Sequence, residues 1–157
     1  MAAGDVMGAA SPTIHASAVL AGPRAVLIRG PAGAGKSRLA LALIEAAAGG
    51  ALRFARLVGD DRLQLEAAHG RLLVRPAAAL AGRIEIRGLG IRRLAFEPVA
   101  VVGLVVDLAA GDAGRLPAPA ETRTDLAGLA VRRLPIAPGV DPLPLVIAAL
   151  RTSEADG

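Results

Sequence analysis

The sequence has no cysteine, tryptophan or tyrosine, two phenylalanines (Phe54 and Phe96) and, among 18 basic residues, one lysine, Lys36. Without cysteine there is no disulfide framework, no thiolate metal site and no cysteine nucleophile, and a reducing compartment is allowed. An aromatic content of 1% leaves almost nothing on which unpaired bases could stack. The net charge of +4 rests on arginines scattered from Arg24 to Arg151, with Arg92-Arg93 and Arg132-Arg133 as the adjacent pairs. That pattern is not the clustered basic face of a nucleic-acid binder, and no nucleic-acid partner is expected. Val99–Val106, the longest apolar run without proline, is far short of the ~20 residues that span a bilayer, so no membrane association is expected. Residues Met1–Ala21 carry no Lys or Arg and no long apolar block, which predicts no signal peptide.

What is present points to one folded domain. A chain of 157 residues is long enough to bury a core, and a mean hydropathy of +0.52 is incompatible with a disordered chain. Residues 1–12 read as a flexible N-terminal tail, 13–151 as the domain and 152–157 as a flexible C-terminal tail. The runs Ile14–Leu20 and Ala25–Ile28 flank Gly22-Pro23 and read as a hairpin. A Gly-rich loop follows, then a helix from Lys36 to Ala48 that Gly49-Gly50 ends. Leu63/Leu65 and Leu72/Val74 suggest a second hairpin across His69-Gly70. Arg83–Arg87 alternates charged and apolar residues like a half-buried strand, and Val99–Val106 reads as a central strand buried on both faces. Ala109–Ala120, with two Gly and two Pro, is expected to be a mobile loop. Asp141-Pro142 is an N-cap and first position for a helix over Leu143–Leu150. Together these predict an α/β domain with few helices and a mixed sheet.

The segment Gly30-Pro31-Ala32-Gly33-Ala34-Gly35-Lys36-Ser37 satisfies the spacing of a phosphate-binding P-loop, and it lies between a strand and a helix as that motif requires. Glycines let the backbone turn its N–H groups toward phosphate oxygens, and the helix start adds its positive dipole end. Lys36 would reach the β- and γ-phosphates and the Ser37 hydroxyl would ligate Mg²⁺. A composition that places arginine at every other basic position keeps lysine here, where the bulkier planar guanidinium suits a tight cradle poorly.

Several other groups compete for the chemistry. Asp60 and Asp61 are adjacent carboxylates after a short apolar strand; they read either as a turn or as a pair that needs a proton or cation between them. Glu85 sits in the alternating strand before Gly88-Leu89-Gly90. Asp107 ends the Val99–Val106 strand, either as a Walker B carboxylate or as an ordinary loop residue. His15, on the strand before the P-loop strand, is either structural or faces the phosphates, whereas His69 reads as solvated surface.

Ile14-His15, the P-loop, Gly59-Asp60-Asp61-Arg62 and, above all, Ile84-Glu85-Ile86-Arg87-Gly88-Leu89-Gly90-Ile91 resemble the HPr kinase/phosphorylase family. That family's Leu-Glu-Ile-Arg-Gly-Leu-Gly-Ile string is matched at all but its first position. The resemblance runs from about Thr13 to Leu150 and concerns the family's C-terminal catalytic domain. It implies a P-loop kinase domain with a mixed β-sheet, similar to phosphoenolpyruvate carboxykinase, in a cytoplasmic, ATP- and Mg²⁺-dependent enzyme that phosphorylates a serine of HPr or an HPr-like carrier of the sugar phosphotransferase system. It further implies Asp61 as the base for the serine hydroxyl, Asp60 and His15 shaping the phosphate site, Ser37 and Glu85 on Mg²⁺, and Arg115, in Gly114-Arg115-Leu116, stabilising transferring charge.

The departures carry expectations too. The resemblance implies a short form without the family's N-terminal domain. Phe96-Glu97-Pro98 stands where the family has Phe-Gly-Ala-Gly, and Ala137-Pro138-Gly139-Val140-Asp141 replaces a Lys-Pro-Gly-Arg segment tied to dephosphorylation. Weak or absent phosphorolysis is therefore expected, and a homo-oligomer is left open. Two other functions compete: a P-loop small-molecule kinase that uses Asp107, and a nucleotide-sensing regulator without catalysis.

Overall fold

A computed structural model of the protein describes residues 13–155; the expected N-terminal tail and the last two residues lie outside the described residues. The strands are β1 (Thr13–His15), β2 (Ser17–Ala21), β3 (Arg24–Arg29), β4 (Ala55–Gly59), β5 (Arg62–Ala68), β6 (Arg71–Pro76), β7 (Arg83–Ile86), β8 (Gly90–Arg93), β9 (Ala100–Asp107), β10 (Arg123–Leu126) and β11 (Leu129–Pro135), with helices α1 (Lys36–Ala48) and α2 (Pro142–Arg151). β9 organises the main sheet. β3 runs parallel to it along one edge, while the other edge is shared by β6 near its start and by β11 near its end. β2 and β4 extend the sheet beyond β3, β5 and β1 extend it beyond β6, and β10 pairs with β11. β7 and β8 form a separate hairpin.

The central strands are continuous apolar runs because both of their faces are covered. Leu27, Ala18, Val58, Val102 and Val105 pack into one core with Leu63, Leu65, Leu72 and Val74. Val26, Ile28, Val19, Leu57, Leu104 and Val106 form the other, beneath Leu39 and Leu43 of α1 and Val146 of α2. The β3–β9 register slips between Ala25/Val102 and Val26/Leu104, which leaves Gly103 as an extra residue. This bulge is why Val102 and Leu104, two apart, face different cores.

The α1 and α2 boundaries agree with the sequence reading, and the Asp141 carboxylate accepts the Leu143 N–H at 3.2 Å as an N-cap. The β5–β6 hairpin turns at His69-Gly70, both with positive φ and exposed. One expectation is corrected. Ile14–Leu20 is not a single strand: it breaks at the buried Ala16, so that β1 pairs with β5 while β2 lies between β3 and β4. The break sends the chain from one wing of the sheet to the other, and it places His15 beside Arg62 on β5. No described helix is long and apolar enough to cross a membrane.

Candidate active site

The Gly-rich loop leaves β3 at Gly30 and enters α1 at Lys36. A Cβ at Gly30 would lie 3.0 Å from the Leu108 Cβ and 3.3 Å from its carbonyl oxygen, so glycine lets the loop pass close to the end of β9. Gly33 and Gly35 have φ of 80° and 100°, the left-handed region that glycine occupies without penalty. The α1 N-terminus has no side-chain cap and no acidic residue in its first turn. Its first N–H groups are therefore left without a side-chain cap at the positive end of the helix dipole. The Lys36 ammonium donates to the carbonyls of Gly30 at 2.8 Å and Pro31 at 3.2 Å, and no carboxylate neutralises it among the described residues. These features fit a phosphate chain. A cleft of about 290 Å³ opens here, lined by Gly33, Gly35, Lys36, Ser37, Glu85 and Arg87 among others.

Asp60 ties this loop to the rest of the fold. It is 4% exposed. The Ser37 hydroxyl lies 2.8 and 2.9 Å from its two oxygens, the Glu85 backbone N–H donates to it at 3.1 Å, and the Ser17 hydroxyl donates to Oδ1. Three elements, α1, β7 and β2, thus converge on one carboxylate. Gly59, just before it, lets the end of β4 pack against β5 and β6, because a Cβ there would lie 2.5 Å from Leu63 Cδ2 and 3.0 Å from Pro76 Cβ. Ser17, fully buried, is a site residue that the sequence reading missed. Its signal was a lone hydroxyl inside the apolar run Ala16–Leu20, which must find a partner once buried.

Asp61 behaves differently from its neighbour. With φ of 75°, a conformation uncommon for residues other than glycine, the chain turns and carries its side chain outward to 64% exposure. Its carboxylate is 3.5 Å from Nδ1 of His15, itself 63% exposed. The adjacent pair therefore separates into a buried structural carboxylate and an accessible one beside a histidine. Ser37 and Glu85, which line the cleft, offer hard oxygen donors of the kind Mg²⁺ takes alongside water and substrate phosphates, while the oxygens of Asp60 are occupied by its own donors.

Asp107 falls outside this arrangement. Arg29 Nε donates to its Oδ1 at 2.7 Å and Arg29 Nη2 to Oδ2 at 2.8 Å, while Arg133 Nε also donates to Oδ2. Burial pushes the carboxyl up, but the hydrogen bonds and charges of the two guanidinium groups outweigh it and hold its pKa below the ordinary value. Both oxygens are committed, which disfavours the Walker B reading. Arg115 lies in the loop after β9 and makes no hydrogen bond or ion pair with the other candidates among the described residues. The structure thus joins Lys36, Ser37 and Glu85 around one cleft, with Asp60 buried behind Ser37, pairs His15 with Asp61, and brings Arg115 into contact with none of them.

The family model of the HPr serine kinase C-terminal domain matches residues 9–97, a stretch that contains all of these groups except Arg115. The chain belongs to the HPr serine kinase C-terminal domain family. Within that family it is similar to HPr kinase/phosphorylases of Clostridium beijerinckii and Clostridium tetani, with 41% and 39% identity over 66 residues, or 42% of this chain. The matched stretch spans 20% and 19% of those relatives' lengths. Among solved structures, the HPr(Ser) kinase/phosphatase of Coxiella burnetii superposes with a TM-score of 0.69 and 28% identity, covering 88% of this chain and 93% of that one. The curled mixed sheet is thus the fold of that kinase.

Proposed function

We propose that the chain is an ATP- and Mg²⁺-dependent protein kinase that phosphorylates a serine of HPr or of an HPr-like phosphocarrier in the cytoplasm. The observation that carries this reading is the junction at Asp60. It links the hydroxyl of the phosphate-loop Ser37 to the backbone of Glu85 and, through the adjacent residue, to an exposed carboxylate–histidine pair.

In this reading Lys36, the loop N–H groups and the α1 N-terminus hold the β- and γ-phosphates, and Ser37 and Glu85 hold Mg²⁺ with Asp60 orienting the Ser37 hydroxyl. Bound Mg²⁺ supplies electrostatic neutralisation of the phosphates, the main source of acceleration in this reaction class. Asp61 accepts the proton of the acceptor serine as the serine oxygen bonds to the γ-phosphorus. The bond from that phosphorus to the β–γ bridging oxygen breaks, and its electron pair leaves with ADP. His15 keeps Asp61 oriented. Asp61 suits the role of base because its exposure lets a protein hydroxyl reach it, whereas Asp60 is enclosed by its three donors. Arg115 is proposed to act on the transferring phosphoryl group only after its loop moves toward the cleft. Phosphorolysis is proposed to be weak or absent, since the Ala137–Asp141 segment offers no basic residue.

Incubation of the protein with labelled Mg-ATP and HPr tests this directly, with acid and base treatment of the product. A phosphoserine survives acid, and a phosphohistidine does not. Asp61→Asn is expected to lower the transfer rate by about 10²–10⁴-fold with nucleotide affinity retained. Transfer at the wild-type rate by Asp61→Asn removes the base assignment. Nucleotide binding with no phosphorylated carrier favours the regulator instead.

A further inference from the structure

The segment Phe96-Glu97-Pro98 takes no part in the reaction proposed above, yet it holds one of the two aromatic rings of the chain. The Phe96 ring lies against the bare face of Gly82. A Cβ there would be 3.1 Å from Phe96 Cδ1, 3.3 Å from Cε1 and 3.4 Å from the Leu94 carbonyl oxygen. Gly82 stands immediately before β7 with φ of 75°, a region where glycine moves freely and other residues do not. Its carbonyl accepts the Leu94 N–H at 2.8 Å. The base of the β7–β8 hairpin is therefore a glycine joint, enclosed by the backbone of Leu94 and the ring of Phe96.

Phe96 is itself fixed on β4. It forms a parallel bridge with Leu57, the Glu97 N–H donates to the Leu57 carbonyl at 2.8 Å, and Arg56 Nη1 donates to the Glu97 carboxylate at 2.9 Å. β4 ends at Gly59 and delivers Asp60, so one strand carries both the buried carboxylate behind Ser37 and the ring at the hairpin base. The hairpin needs that support, because β7 and β8 pair with no other strand among the described residues. Its other anchors are the burial of Ile84 in the second core and the bond from the Glu85 N–H to Asp60. These two residues are adjacent, so their anchors leave the hairpin a rotation about them, and the contact at Gly82 removes it. The rotation would swing the Glu85 carboxylate along the cleft while its N–H stayed at Asp60. Mg²⁺ takes its oxygens at about 2.0–2.1 Å in near-octahedral geometry, and a site works only when its groups are held within about 0.5 Å and 10–20°. A small rotation is enough to lose the ligand.

We propose that Phe96 is a positioning residue which, by packing on Gly82, sets the angle of the β7–β8 hairpin and so the place of the Glu85 carboxylate in the cleft. Its effect on metal binding follows from the reading of Glu85 as a Mg²⁺ ligand.

Hydrogen exchange followed by NMR on the nucleotide-free protein tests the positioning itself. Phe96→Ala should speed exchange of the Glu85 and Leu94 amides on the order of tenfold or more relative to the amides of β3 and β9. Phe96→Leu, which keeps an apolar group on Gly82, should give the same local pattern at smaller size, and it decides the point if Phe96→Ala does not fold. Calorimetric titration with ATP, with and without Mg²⁺, reads the consequence. Phe96→Ala should bind ATP alone as the wild type does and lose most of the gain that Mg²⁺ adds, with partial recovery in Phe96→Leu. A general loss of stability would not separate the two. Equal acceleration throughout the molecule, or unchanged exchange at Glu85, overturns the proposal. So does a Glu97→Gln protein affected as strongly as Phe96→Ala, since that variant removes only a half-exposed ion pair and leaves the ring in place. The two readings fail separately: a full Mg²⁺ gain in Glu85→Gln removes Glu85 as the ligand, while exchange at the Glu85 amide still decides the role of Phe96.

Discussion

Asp60 and Asp61 show how one peptide bond separates two chemistries. A carboxylate that is 4% exposed needs every lone pair occupied, and Ser17, Ser37 and the Glu85 N–H supply the donors. The next residue adopts a positive φ, which reverses the direction of its side chain and leaves its carboxylate accessible beside His15. Removing one donor tests the first half of this division. Ser17→Ala leaves Asp60 short of a hydrogen bond in a dry site, and is expected to cost about 1–3 kcal/mol in urea denaturation. Because Ser17 lies beneath the cleft and does not line it, its loss should act through the position of Ser37. KM for Mg-ATP should rise more than kcat falls. Unchanged stability in Ser17→Ala would mean that the hydroxyl is not part of the network.

At the scale of elements, the ends of β3, β9 and β11 are joined by charge as well as by their ladders. Arg29, Asp107, Arg133 and Asp112 form a chain, with Arg133 Nη1 donating to Asp112 at 2.8 Å and to the Glu121 carbonyl at 2.9 Å. The folded pKa of Asp107 is lowered from 3.8, so the unfolded state binds its proton more readily. The stability it contributes is fully present above the unfolded value and is lost as pH falls through the folded one. Denaturation measured from pH 7 to pH 3 should therefore show a shallower loss of stability in Asp107→Asn than in the wild type, with the nucleotide affinity of the variant unchanged at pH 7. An Asp107→Asn protein that folds well but loses Mg-dependent nucleotide binding would restore Asp107 as a metal ligand. This chain also marks where the sequence was legible. The phosphate loop, α1, α2 and the β5–β6 hairpin are written in local spacing and caps. β10 and β11 are not, because Arg132-Arg133 reads as a charged pair; only the sheet reveals that successive residues point to opposite faces, one toward α2 and the other toward Asp107. The β1–β2 break was hidden for a similar reason, since Ala16 continues the apolar run while its two neighbours pair with different strands.

For the molecule as a whole, the Gly-rich loop matters because of what it connects. β3 contributes Ala25 and Leu27 to one core and Val26 and Ile28 to the other, and α1 covers the second. A ligand gripped between the end of β3 and the start of α1 therefore restrains the element common to both cores, and its binding should register in global unfolding and not only in a local loop. Mass action gives the size: a ligand at 100 times its Kd stabilises by about 2.7 kcal/mol, which for a domain of this length is a rise of roughly 5–11 °C in Tm. Mg-ATP should produce that rise. Lys36→Ala should abolish most of it, because the loop loses its one compact charge. Ser37→Ala should keep the part given by ATP alone and lose the increment added by Mg²⁺ if, as proposed, the hydroxyl serves the cation and not the phosphate chain. On the proposed assignment Glu85→Gln should resemble Ser37→Ala, and Asp61→Asn should resemble the wild type, because a base at Asp61 would touch the acceptor and not the nucleotide. Thermal denaturation of these five proteins, with and without Mg²⁺, thus separates phosphate, metal and base functions without a catalytic assay. An Mg²⁺ increment that persists in both Ser37→Ala and Glu85→Gln would show that the cation is held elsewhere.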